Sequence, residues 1–193
     1  YSKKKIIFNR ELSNLDELVL RFCAILHRLN IKYVIISGYI AILFGRARNT
    51  IDVDLFIEKM SEEKMNVFWV ELEKEGFECI NAFSPADAIE SLNENVAIRL
   101  SEKGKPEPNF ELKFPTKSRY NAYSLEKRVL VLLNGRELYT SEIELQIAYK
   151  LYLGSEKDYE DARHLFKIFK EHLDMNLLSY HIHELNMSKQ AEK

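Results

Sequence analysis

The chain has 193 residues, 46% of them hydrophobic and 30% charged, with a formal net charge of −2. That length holds one domain with a substantial core, or one domain plus a small helical extension, and the composition excludes a disordered chain. The charge balance excludes a protein that holds nucleic acid through a global basic field, although it leaves room for a local basic patch.

The longest apolar run, 34–44, is broken by Ser37-Gly38 and is too short to span a bilayer. The first residues carry lysines but no apolar core or small-residue cleavage site, so no signal peptide is expected, and a first residue other than Met reads as a trimmed start. Cys23 lies on an apolar helical stripe and Cys79 beside Phe77 and Ile80, without metal-ligand spacing. They read as reduced core thiols of a cytoplasmic protein with no membrane partner.

Leu15, Leu18, Phe22, Leu26 and Leu29 follow the helical period over 13–29, with Ser13 or Asn14 as N-cap. An apolar strand at 33–36 follows, then the Ser37-Gly38 break, a short apolar helix, a loop carrying Gly45, Arg46, Arg48 and Thr50, and a second strand with Asp52 and Asp54. Met65, Phe68, Trp69 and Leu72 mark a helix over 61–75 that stops at Gly76. Helices and strands alternate, which predicts a sheet covered by helices.

A short strand is expected at 77–82, and Ser84-Pro85 caps a helix reaching about Leu92, because proline suits the first helical position. Strands follow at 95–100 and 110–114; in the second, Phe110, Leu112 and Phe114 share one face, and Glu111 and Lys113 the other. Asn134-Gly135 between 127–133 and 136–139 is a hairpin signal of type I′. Three helices are expected beyond it, marked by Ile143, Ile147 and Leu151, by Tyr159, Ala162, Phe166 and Phe169, and by the run 173–185. The chain divides near Thr140 into a sheet-based core (1–140) and a C-terminal helical extension packed on it (141–193). The fold class is α/β (α+β): a mixed β-sheet core flanked by helices.

The chemistry gathers in 33–58. Side chains alternate along a strand, so Asp52 and Asp54 leave one face while Val53 and Leu55 enter the core. Two adjacent carboxylates repel unless a cation lies between them. The unpaired N–H groups after Ser37-Gly38 can receive phosphate oxygens. A phosphate site beside a divalent-metal site is therefore expected.

Ser37, Gly38, Gly45, Arg48, Thr50, Asp52 and Asp54 together form a turn, helix, Gly-x-x-Arg-x-Thr, Asp-x-Asp pattern. In it the chain resembles the nucleotidyltransferase superfamily with the DNA polymerase β-like fold, and its small prokaryotic members related to AbiEii and MenA-type toxins. The resemblance covers most of 33–161. It implies transfer of a nucleoside monophosphate from an NTP, ATP among them, to a hydroxyl, by two Mg2+ or Mn2+ ions held by three carboxylates.

Asp52 and Asp54 supply two, and Glu111 is the candidate for the third, where the family more often has Asp; otherwise Glu111 is a strand acid paired with Lys113 or Lys127. The resemblance also implies that Ser37 and Gly38 contact the β- and γ-phosphates and that Lys150, ahead of a Lys157-Asp158-x-x-Asp161 segment, reaches the phosphates. Arg48 fits phosphate binding, or anchors its loop through Asp52 or a carbonyl. Thr50 shapes the loop. Asp158 and Asp161 read as helix-start acids. The acceptor implied is a tRNA 3′ end or a protein side chain, with a toxin role and an antitoxin partner; a small molecule is also open. The alternative is a catalytically degenerate nucleotide-binding module, favoured by Glu111 in place of Asp and Ser37 in place of Gly.

Overall fold

Two strands carrying carboxylates in register decide what this sheet can do. A computed structural model describes residues 5–116 and 119–191. In chain order the elements are β1 (Lys5–Phe8), α1 (Asn14–Arg28), β2 (Tyr33–Ile36), α2 (Gly38–Leu43), β3 (Asp52–Ile57), α3 (Glu62–Lys74), β4 (Phe77–Cys79) and α4 (Pro85–Asn93). There follow β5 (Ile98–Glu102), β6 (Asn109–Lys113), α5 (Arg119–Glu126), β7 (Val129–Leu133), β8 (Arg136–Thr140), α6 (Ile143–Leu153), α7 (Glu156–Phe169) and α8 (Met175–Ala191). The strands form one mixed sheet in the order β1-β7-β8-β2-β3-β6-β5-β4.

Alternation sorts the central strands onto two faces. Val53, Leu55 and Ile57 of β3 and Phe110 and Leu112 of β6 are buried against α1, where the Phe22 ring stacks on Phe110 with centroids 3.9 Å apart. Each such ring contributes about 1.5–3 kcal/mol of burial. Val34, Ile36 and Phe56 leave the opposite face and pack with Leu125 of α5. Asp52, Asp54 and Glu111 belong to that second face.

The local signals explain the elements. Ser13 caps α1 through a full capping box with Asp16, and Ser61 and Ser84 cap α3 and α4, with Pro85 in the first turn. Asn134 and Gly135 take φ of 50° and 78° in the β7–β8 hairpin, as a type I′ turn requires. Three expectations change. β1, which the lysine-rich start did not announce, pairs in parallel with β7, and its short run exposes Ile7, so it has little alternation to read. β4 ends at Cys79 and β5 begins only at Ile98, because Asn81 turns the chain by bonding the Ala97 carbonyl and the Arg99 N–H. α5 was not anticipated at all.

Candidate active site

β2 and β3 run antiparallel with Ile36 opposite Asp54, so Ser37, the next residue, arrives beside that carboxylate. Its hydroxyl favours the charged form of that carboxyl. β3 and β6 run parallel with Asp54 opposite Glu111 and Asp52 opposite Asn109. The third acid foreseen from chain order therefore lies next to the first two, on the same face.

Burial pushes the Asp54 carboxyl above its ordinary range, and the charges of Asp52 and Glu111 add to this against Lys113 and the Ser37 hydroxyl. Asp52 is oriented by Thr50, whose hydroxyl donates to Asp52 Oδ1 at 3.0 Å and to its carbonyl at 3.1 Å. Glu111 is held by two cations: Arg99 Nε donates to it at 2.9 Å, and Lys113 Nζ at 3.5 Å. Among the described residues no three His, Cys, Asp or Glu side chains are gathered as ready metal ligands. Asp52 and Asp54 fit a divalent cation, since crowded carboxylate charge of this kind is relieved by one. Glu111 fits by register, and its side chain is committed to Arg99.

Ser37 has φ 65° and ψ −136°, a region that glycine alone enters without strain. A residue to which the sequence assigned no role holds it there. Gln146 of α6 accepts from the Ser37 N–H at 3.3 Å and donates to its carbonyl at 3.0 Å, while Ser141 Oγ donates to the same amide oxygen at 3.1 Å. The Ser37 N–H, expected to face phosphate, is thus used inside the protein. Only the burial of Gln146 marks it, and an isolated Gln in a helix gives no spacing signal.

The Arg48 guanidinium fills the space where a Gly38 side chain would be, so glycine here admits the arginine. Arg48 Nε lies 3.4 Å from Asp161 Oδ1, and neither Nε nor Nη1 has a hydrogen-bond partner. The anchor is Asp161, not Asp52 or a carbonyl. Arg46 pairs with Asp161 and Glu160. Lys150, buried at 4% exposure, pairs with Asp158 at 2.7 Å and Asp161 at 3.2 Å. Asp161 is fully buried and serves as the counter-charge of three cations, while Asp158 keeps a helix-start role through Ser155.

The acid face opens into a cleft of about 280 Å³ lined by Ser37, Asp54, Lys113, Phe114 and Tyr149. The Tyr149 ring stacks on Tyr152 with centroids 5.9 Å apart. A larger opening of about 800 Å³ lies between α1 and the 48–51 loop, and none of Asp52, Asp54 and Glu111 lines it.

The fold is that of nucleotidyltransferase-like proteins. A nucleotidyltransferase-like antigenic protein from Paracoccidioides brasiliensis superposes with a TM-score of 0.56 at 20% identity, over 91% of this chain and 88% of that one. The antibiotic-resistance factor ANT(2″)-Ia gives a TM-score of 0.58 at 12% identity, over 93% and 96%. The lincosamide antibiotic adenylyltransferase LnuA, solved with lincomycin bound, gives 0.50 at 11% identity, over 82% and 99%. No protein-family model and no curated protein sequence matches the chain. No helix among the described residues is long and apolar enough to cross a membrane.

Proposed function

We propose that this chain transfers a nucleoside monophosphate from an NTP to a hydroxyl acceptor, releasing pyrophosphate. The observation that carries the reading is the parallel β3–β6 register, which sets Glu111 beside Asp54 next to the Ser37-Gly38 turn. Asp52 and Asp54 would hold Mg2+ or Mn2+, with Glu111 joining them when it leaves Arg99. A divalent cation there would lower the pKa of the acceptor hydroxyl and neutralise the departing pyrophosphate.

The acceptor oxygen bonds to the α-phosphorus as the bond to pyrophosphate breaks, and the acceptor proton passes to water. Thr50 holds Asp52, and Ser37 lies beside Asp54. Gly38 brings backbone close to the phosphates, and Arg48, whose Nε and Nη1 lack hydrogen-bond partners, is the cation nearest that turn. Lys150 joins them when phosphate competes with its two acids. The tRNA or protein acceptor, the toxin role and the antitoxin rest on the family resemblance alone.

A second reading has its own observation. The Arg99–Glu111 bond is what a nucleotide-binding module with a lapsed third ligand would show. Arg99→Ala separates the two. For an enzyme, freeing Glu111 lowers the Mg2+ concentration needed for half-maximal transfer severalfold; for a binding module, neither protein turns over. The test of the main reading is transfer of label from each of four α-labelled NTPs, with Mg2+, to total tRNA, total protein and small hydroxyl compounds. Label on one acceptor supports it, and no label on any of them contradicts it.

A further inference from the structure

The cleft at Asp54 does not end at Tyr149. Asn95, Phe114 and Thr116 line it, and the same three residues line a second basin of about 590 Å³ that also has Asn93 and Lys59 in its wall. The two openings adjoin at these shared residues, and taken together they make a trough that starts at the acid face. Its second basin lies within the roughly 300–1,000 Å³ typical of small-molecule sites.

Its chemistry is selective. Among the described residues no carboxylate lines the second basin; its polar groups there are the amides of Asn93 and Asn95 and the Thr116 hydroxyl, Phe114 gives an apolar wall, and Lys59 is the one charge among them. Lys113 adds a second cation nearer Asp54. Lys59 is exposed and enters no ion pair among the described residues. It lies five positions along the chain from Asp54, at most about 17 Å of extended chain.

We propose that this trough is the acceptor subsite, and that it takes a small, hydroxyl-rich compound carrying one anionic group such as a phosphate, held at Lys59 with a hydroxyl presented at Asp54. The inference rests on the transfer reading above and names its acceptor class. Amides and a hydroxyl suit a polyol, which has both donors and acceptors to satisfy. Among the described lining residues a polycation would meet two lysines and no carboxylate but Asp54. A polynucleotide needs a run of phosphate contacts, which the two lysines among the described lining residues, on a chain of net charge −2, do not supply.

The test is independent of turnover. The side-chain amide signals of Asn93 and Asn95 are followed by NMR while ribose 5-phosphate, glucose 6-phosphate, glycerol 3-phosphate, an aminoglycoside, or a short RNA with a free 3′ end is added to the full chain. Saturable shifts with at least one of the three phosphates are expected, and Lys59→Glu should weaken them at least about fivefold, a loss near 1 kcal/mol. No saturable shift with any phosphate, an effect indifferent to Lys59→Glu, or tighter binding of the aminoglycoside or the RNA would overturn the proposal. Shifts from a protein that transfers no label to those same compounds would uphold the subsite and contradict the transfer reading, so the two failures are told apart.

Discussion

Ser37 occupies backbone that favours glycine, and it does so beside the Asp54 carboxylate. Strain of that kind costs roughly 1–3 kcal/mol, part of which glycine would give back in chain entropy. Ser37→Gly is therefore expected to raise stability by about 1 kcal/mol, a shift of roughly 2–4 °C in melting midpoint for a chain of this size; an unchanged or lower midpoint would show that the hydroxyl contact outweighs the strain. Asp16 makes a second residue-scale prediction. Burial alone would raise its carboxyl, but hydrogen bonds from Arg10, Ser13 and Tyr39 outweigh it and hold the group below its ordinary 3.8. A depressed carboxyl contributes stability above the unfolded value, and that contribution is lost as pH falls through the folded one. The difference in urea midpoint between the protein and Asp16→Asn should stay constant from about pH 5 to 8 and shrink in acid; a gap that persists in acid would refute the account. Ser37, Gly38, Asp52 and Asp54 were legible because residue type and spacing are both restrictive there. Gln146 and Arg99 were not, because their partners lie 109 and 12 residues away along the chain.

At the scale of elements, α7 fastens the loop before β3 through buried charge. Asp161 faces Arg46, Arg48 and Lys150, and none of the three can reach water freely. Removing one partner of a buried charge cluster typically costs about 3–5 kcal/mol, so Asp161→Asn should lower the free energy of unfolding by about that much in urea. A loss under about 1 kcal/mol would mean the cluster is solvated and the loop is held by other contacts. The periodicity of α7 was readable, yet Asp158 and Asp161 read alike as helix-start acids, because only tertiary structure reveals that Asp161 is buried. β6 gives the opposite lesson. Its alternation assigned Glu111 and Lys113 to the outer face correctly, while the Arg99 contact depended on β5 lying alongside, which no local pattern encodes.

Across the whole molecule, the apolar cluster runs from β1 through the sheet into α8, and the Phe44 ring meets Phe169 edge-on with centroids 4.8 Å apart. The boundary near Thr140 is a proposal about chain organisation, and the shared core predicts that a chain ending there will not fold. It would lack Gln146 at the Ser37 turn and Phe169 against Phe44. A cooperative thermal transition by circular dichroism in residues 1–140 would contradict this. The alternating order of helices and strands was evident from the sequence. The sheet order was not, since β1 and β7 meet across more than a hundred residues, and loop closure on that scale leaves no trace in any short window. The measurement that tests the central claim most directly is the Mg2+ dependence of nucleoside monophosphate transfer in the protein and in Asp54→Asn, each shown to be folded. Transfer that requires the metal and falls at least a thousandfold in the variant, about 4 kcal/mol of barrier, is the predicted result; equal rates in the two proteins would contradict the assignment of this face as the active site.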